Sequence, residues 1–204
     1  MTIGLFSNEI QPTYTLAGCI DVYENAWPNY KETINLLEES VKESESDIVW
    51  EKANVINRDY EQTHRTNLQL KLSLHALRVG NQKLQKIHNQ TYLTITNAVQ
   101  PYMRKHDIDN LWHEHYNALK YSGGQYFNAH ADGDTSTKRC VSAIIYLNDE
   151  YTGGEVEFVN FNLKIKPKPG MLLLFPSNYA YRHIAHPVET GTKYAIVTWL
   201  RDQG

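Results

Sequence analysis

The sequence predicts an α+β fold, with helices in the first half and a compact set of short strands in the second. Three observations carry this. Texture changes near residue 110, from charged, helix-periodic stretches to short apolar runs punctuated by Gly and Pro. Those later runs follow one another closely with no helical pattern between them, which indicates a sandwich, jelly roll or barrel rather than parallel βαβ units. At 204 residues the chain can also bury a core without staples, so it is read as a single domain spanning 1–204. Within it, 1–110 forms a mainly helical support region and 111–204 the β core.

Taken in order, Pro28 to Ser46 places Tyr30, Ile34, Leu37 and Val41 at three- and four-residue steps, the spacing of an amphipathic helix with an acidic outer face. Pro28 suits the first turn, where its missing N–H would be unsatisfied in any case. Leu68, Leu70, Leu72 and Leu74 alternate with Gln69, Lys71, Ser73 and His75 and predict a half-buried strand. Leu84 to Lys105 returns to helical spacing through Leu84, Ile87, Ile95 and Val99, and Pro101 is expected to kink or end that helix. Strands are then predicted at Tyr116 to Tyr121, Val141 to Leu147, Glu155 to Val159, Met171 to Phe175 and Tyr194 to Leu200. The breaks between them are Ser122-Gly123-Gly124, Asp132-Gly133-Asp134, Gly153-Gly154, Pro167 to Gly170 and Thr190-Gly191.

Composition narrows the function. A net charge of −3 gives no field that would gather nucleic acid or anionic lipid, so neither is expected as a partner. Two cysteines, Cys19 and Cys140, argue against a disulfide scaffold and suit a reducing compartment. The first twenty residues lack a basic start and a continuous apolar stretch, and no window reaches ~18 apolar residues. No signal peptide or membrane span is therefore read, and a cytoplasmic location is expected. Fourteen Tyr and four Trp supply many rigid, half-polar side chains of the kind that line pockets.

Three places in the second half hold polar side chains where β architecture would point them inward. In His130-Ala131-Asp132 the two polar residues project to the same side of an extended segment, so one cation can meet both. Taken alone the pair is weak in a chain with nine histidines. Just beyond the apolar run Met171 to Phe175 comes Arg182-His183-Ile184-Ala185-His186-Pro187, where either His183 or His186 could complete a 2-His-1-carboxylate face. That ligand set leaves adjacent positions open and marks non-haem Fe(II) oxygenases, whereas zinc more often takes a fourth protein ligand or a lone water. Lys193 sits in the otherwise apolar or aromatic run from Tyr194 to Leu200 and its approach. A lysine there either reaches solvent at the strand edge or anchors a carboxylate.

The order His130-x-Asp132, then His183, then Lys193 resembles the double-stranded β-helix oxygenases that use Fe(II) and 2-oxoglutarate, and more narrowly the prolyl 4-hydroxylase group. The stretch from His183 to Lys193 is similar to that group's distal segment: a ligand His, then Pro187-Val188, then Gly191, then a basic residue ten positions after the His. That register selects His183 over His186, and Lys193 over Arg201. Tyr121 to His130 resembles the Tyr-rich, Gly-containing approach to the first ligand. Arg139-Cys140-Val141 through Tyr146-Leu147-Asn148 is similar to the next strand of hypoxia-sensor prolyl hydroxylases, and Gly153-Gly154-Glu155 with Phe158 to the turn that opens the strand after it. The resemblance covers residues 110 to 202; before that it is loose, through a helix after Asp21-Val22-Tyr23 and a strand start at Arg65-Thr66. Two departures stand out. Phe127 occupies a place where the family often has Tyr, and the anchor is Lys rather than the Arg of the hypoxia-sensor type.

The resemblance implies a jelly-roll core with the N-terminal helices packed on it, and the following roles. His130, Asp132 and His183 would bind Fe(2+), leaving positions for 2-oxoglutarate and O2. Lys193, with Tyr146 and Tyr121, would hold the co-substrate. Arg139, Trp199, Tyr126 and Arg182 would face a proline-containing peptide or protein. Succinate and CO2 would leave, with ascorbate as a possible reductant. The alternatives are an oxygenase of another small molecule or amino acid, and a non-catalytic metal-binding module. His113 and His115 are read as strand surface, Asp134 as a turn residue and Cys140 as a small core side chain. Neither the oligomeric state nor the substrate's identity follows from the residues.

Overall fold

A computed structural model describes residues 8–44, 47–53, 64–134 and 136–202. In chain order the elements are β1 (Tyr14–Leu16), β2 (Ile20–Tyr23), α1 (Tyr30–Glu43), β3 (Glu51–Lys52), β4 (Leu68–Leu70), α2 (Leu72–Leu74) and α3 (Gln82–Lys105). They continue as β5 (Leu111–His113), β6 (Asn117–Ser122), β7 (Phe127–His130), β8 (Arg139–Tyr146), β9 (Tyr151–Gly153) and β10 (Val156–Phe158). The last are β11 (Leu163–Ile165), β12 (Leu172–Pro176), β13 (His183–Ala185) and β14 (Val188–Asp202). Among the described residues no helix is long and apolar enough to cross a membrane.

The strands form two antiparallel sheets. The larger runs β1-β2-β12-β8-β14-β6-β4-β3, with β5 and β9 paired to the two ends of the long β14. The smaller runs β11-β10-β13-β7. Alternation along the central strands splits the core in two. Ala143 and Ile145 of β8, Leu172 and Leu174 of β12, and Ile196 of β14 turn toward Leu37 of α1 and Leu84, Ile87, Ile95 and Val99 of α3. Their neighbours Ile144, Leu173, Phe175 and Val197 turn the other way and meet Val156, Phe158 and Ile165 of the smaller sheet. A strand buried on both faces has no polar side, which is why 171–175 is an unbroken apolar run.

The helical and strand expectations hold with four corrections. The Leu68–Leu74 strand stops at Leu70, and the chain turns into α2 and a π-helical turn, His75–Val79, closed by Gly80 at φ 75. Strand pairing with β6 ends at Leu70↔Ala118, and beyond it Leu72 and Ala76, four apart, are both fully buried, which is a helical spacing. Pro101 does not end α3. The carbonyl of Asn97, which Pro101 cannot engage, accepts the Ile10 N–H at 3.1 Å, so nothing is left unsatisfied. The hairpin β1–β2, which extends the larger sheet beside β12, carries no alternation long enough to predict it. Pro28 lies in the turn before α1 rather than in its first turn, and Glu45 and Ser46 at the predicted helix end lie outside the described residues.

Candidate metal and co-substrate site

The smaller sheet places two imidazoles side by side. β7 and β13 are antiparallel neighbours with His130 directly opposite His183, and the ring centroids are 4.3 Å apart. Asp132, in the loop just past β7, turns its carboxylate between them. Its Oδ1 is 3.3 Å from His130 Nε2, and its Oδ2 is 3.7 Å from His183 Nε2. Among the described residues these three form the one group of His, Cys, Asp and Glu side chains whose donor atoms cluster within 4.8 Å. Ligands at right angles on a first-row metal with bonds of ~2.1 Å stand about 3 Å apart, close to the spacing found.

The surroundings suit a metal as well as the spacing does. His130 Nδ1 lies 2.7 Å from the Asn128 carbonyl and His183 Nδ1 3.2 Å from that of Tyr181. Each ring can donate its Nδ1–H there and keep Nε2 as a lone-pair donor facing the carboxylate, the usual arrangement behind a ligating imidazole. The Ser142 hydroxyl donates to Asp132 Oδ2 at 2.6 Å and touches the Ser177 hydroxyl at 2.9 Å. Burial by itself would raise the Asp132 carboxyl, but the His183 and His130 imidazoles and the Ser142 hydroxyl outweigh it and hold the group well below the usual carboxylate range. Burial, with His130 alongside, pushes His183 down to about 4, so its ring is neutral and able to ligate.

Behind the cluster the cavity ends at Lys193. The chain delivers it on β14 opposite Tyr121 of β6. It is only 2% exposed, and its ammonium donates to the Gly154 carbonyl at 2.6 Å. Its other neighbours are the faces of Tyr146, Tyr121 and Tyr151, at 5.1, 5.6 and 5.9 Å. No carboxylate of the described residues forms an ion pair with it. Burial, then the like charge of Lys166, lowers the ammonium to about 7. The Gly153-Gly154 turn that meets it has φ of 67 and 66, and a Cβ on Gly154 would stand 2.8 Å from the Tyr151 ring. A buried cation with one carbonyl partner and three aromatic walls can receive an anion.

The mouth of the cavity is built from residues of both sheets. Phe127 stacks on His130 at 3.5 Å, and the Arg65 guanidinium covers Phe127 at 4.5 Å. Arg65 is 9% exposed, donates to Asn67 Oδ1 at 2.7 Å and lines the same cavity as Tyr121 and Asp132. Nothing in the sequence around it marks an inward-facing charge. Arg139 grips both carboxylate oxygens of Glu114 at 3.0 and 2.8 Å, donates to the Asp132 carbonyl at 3.1 Å and lies 3.6 Å over the Trp199 ring. The Trp199 indole N–H is buried with no hydrogen-bond partner among the described residues.

His130, Asp132, His183, Lys193, Tyr146, Tyr121 and Trp199 therefore share one cavity, and Arg139 lines the groove outside it. Tyr126 and Arg182 line neither. Tyr126 is tied through its backbone to Thr66, and exposed Arg182 reaches across to the Ala129 carbonyl. His186 faces away from the cluster, with Nε2 2.7 Å from Glu157. His113 is a correction: its ring is not strand surface but packs inward, touching the Tyr116 hydroxyl at 2.8 Å and Thr96 at 3.3 Å. His115 is exposed, and Asp134 caps a turn through Ser136 and Thr137.

Comparison with known proteins follows the same lines. Residues 116–201 match the family model described as the 2OG-Fe(II) oxygenase superfamily. A putative prolyl 4-hydroxylase of Acanthamoeba polyphaga mimivirus is 32% identical over 110 residues, covering 44% of this chain and 46% of that protein. The probable prolyl 4-hydroxylase 9 of Arabidopsis thaliana is 32% identical over 119 residues, covering 44% and 41%. The chain thus spans a little under half the length of these curated relatives. Among solved structures, a prolyl hydroxylase of Trichoplax adhaerens in complex with a hypoxia-inducible-factor oxygen degradation domain peptide superposes with a TM-score of 0.70 at 18% identity, over 92% of this chain and 85% of that one. The viral collagen prolyl hydroxylase of Paramecium bursaria Chlorella virus-1, in its 2OG complex, gives 0.61 at 21% identity, over 89% and 95%. These likenesses show a shared jelly-roll fold. Motif and geometry agree with these comparisons: residues 116–201 match the 2OG-Fe(II) oxygenase superfamily, and the curated relatives are drawn from the prolyl 4-hydroxylase group.

Proposed function

We propose that the chain is an Fe(II)- and 2-oxoglutarate-dependent prolyl 4-hydroxylase acting on a proline residue of a peptide or protein, using O2 and releasing succinate and CO2. One observation carries the reading: a two-histidine, one-carboxylate face and a buried ammonium without a carboxylate partner share a single cavity. His130, Asp132 and His183 are the proposed metal ligands, and Lys193 the anchor for the far carboxylate of 2-oxoglutarate. Bound there, Fe(II) and 2-oxoglutarate supply O2 activation and the oxidising power for an unactivated C–H bond.

The chain's own residues do the rest. Asp132 contributes a fixed negative charge, held in place by Ser142. His130 and neutral His183 present Nε2 while the Asn128 and Tyr181 carbonyls keep their rings from turning. Lys193, itself buried, gives a charge-assisted hydrogen bond that contributes ~1.5–3 kcal/mol to holding the co-substrate. Tyr146 and Tyr121 wall that end. Arg139 spends three N–H groups on Glu114 and the Asp132 carbonyl, so two of a guanidinium's five stay open for a peptide carbonyl. Trp199 offers it a rigid face. These two, rather than Tyr126 and Arg182, are the proposed substrate contacts. Ascorbate is proposed as the reductant. The free thiols of Cys19 and Cys140 suit the reducing, cytoplasmic setting expected from composition.

The test is Fe(II)-dependent formation of succinate from 2-oxoglutarate together with the mass gain of one oxygen atom in proline-containing peptides, both lost in His183→Ala. Succinate with no oxygenated proline in any peptide would overturn the prolyl assignment. No succinate under any condition would overturn the hydroxylase.

A further inference from the structure

The groove outside the metal cluster does not end at Arg139. Leu77, Glu114, His115 and Tyr116 line it together with His130 and Asp132, and the same four residues also line a second, open trough whose far walls are Tyr92 and Trp112. The two depressions therefore adjoin across shared walls. Along them three large apolar or aromatic side chains stand out to solvent: Leu77 at 63% exposed, Trp112 at 58% and Tyr92 at 48%. Single exposed apolar residues need no explanation, but a set gathered on one groove marks a binding surface.

The trough is built rather than accidental. The His113 ring touches the Tyr116 hydroxyl at 2.8 Å and packs against Tyr92 at 5.0 Å, and His88 packs on Tyr116 at 4.9 Å. Leu77 is presented by the π-helical turn, whose neighbour Ser73 is fixed by accepting the Tyr116 N–H at 2.8 Å. β5 enters the larger sheet with Trp112 opposite Arg201, two residues along β14 from Trp199. That offset is about 7 Å of strand, or two to three residues of a polyproline II chain.

We infer that this trough is a distal subsite for the substrate polypeptide, gripping a proline-rich flank in polyproline II form while the target proline lies at the metal cluster. The inference rests on the hydroxylase reading and deepens it. A polyproline II segment has no internal hydrogen bonds, is already stiff, and docks into aromatic-lined grooves that offer ring faces and a few donors. Rigid Tyr and Trp walls with an indole N–H and a phenol at the edge match that ligand, and an open trough that adjoins the groove at the reacting end matches a chain rather than a free amino acid.

The experiment measures binding, with the full chain loaded with Mn(II) and 2-oxoglutarate so that peptide binds without turnover. A labelled proline-rich peptide of about fifteen residues is compared with a labelled, blocked dipeptide of ~6 Å, which falls short of the ~7 Å between Trp199 and Trp112. The expected result is that the long peptide binds the wild type about tenfold more tightly than the short one, and that Trp112→Ala combined with Tyr92→Ala removes this advantage while leaving the short peptide within about twofold. Both side chains are largely exposed, so the variant keeps its fold, and circular dichroism checks that. Equal affinity for the two lengths, a variant that binds like the wild type, or no binding of either peptide overturns the distal subsite. If the long peptide binds and the variant loses it, yet the Fe(II)-loaded enzyme oxygenates no proline, the subsite stands and the prolyl hydroxylase reading falls.

Discussion

Replacing Lys193 with Met should make the empty protein more stable and the loaded protein harder to form. The ammonium is buried against three tyrosine rings with a single carbonyl partner, and burial lowers it from 10.5 to about 7. Methionine fills the same stem volume without a charge, and replacing a buried ion by an apolar side chain of similar size often stabilises by ~1–4 kcal/mol. The sign with pH follows from linkage. Between about 7 and 10.5 the unfolded chain holds a proton on Lys193 that the native chain does not, so wild-type stability rises with pH across that window. Below about 7 the native state bears the full cost of the charge. The stability advantage of Lys193→Met should therefore be largest near pH 6 and fade toward pH 10, as read by urea melts of both proteins. Binding moves the opposite way. Loss of a charge-assisted bond worth ~1.5–3 kcal/mol weakens 2-oxoglutarate about ten- to 150-fold, measured by calorimetric titration of the Mn(II)-loaded protein. A variant that binds 2-oxoglutarate as the wild type does, or that melts earlier than wild type at pH 6, would refute the reasoning.

Three further outcomes are expected. Ser142→Ala removes the hydroxyl that donates to Asp132 Oδ2 and should weaken metal binding about 10–100-fold in a direct titration, with near-native melting. His183→Ala should abolish metal binding while His186→Ala leaves it within about twofold, because His186 is engaged by Glu157 on the far side of its strand. Gly153→Ala places a Cβ against the Pro187 carbonyl at a φ of 67, and should cost about 2–3 kcal/mol, seen as a melting temperature lower by roughly 5–10 °C.

The second half of the chain was far easier to read than the first. An unbroken apolar run such as 171–175 has few structures open to it besides a strand covered on both faces, and the family resemblance supplies a register, the ten-residue step from His183 to Lys193, that residue types alone do not. By contrast, Leu68 to Leu74 alternates like a strand yet contains a turn, because alternation over a few leucines cannot tell a strand from a helical turn that buries Leu72 with Ala76. Arg65 was the larger loss. An arginine between polar residues reads as solvated, and its cover comes from Phe127, sixty-two positions later in the chain. The choice between His183 and His186 shows the same limit: residue types alone leave it open, the resemblance selects His183, and the structure sets His130 opposite His183 while the His186 ring meets the Glu157 carboxylate.

The two histidines of the cluster share a small device, each imidazole resting on the carbonyl two positions earlier in its own chain segment, Asn128 for one and Tyr181 for the other. Part of each ring's orientation is thereby written into a short local stretch of chain. Selection can then reshape the groove, lengthen loops or exchange wall residues to suit a new target, while the two Nε2 atoms facing the Asp132 carboxylate keep their aim.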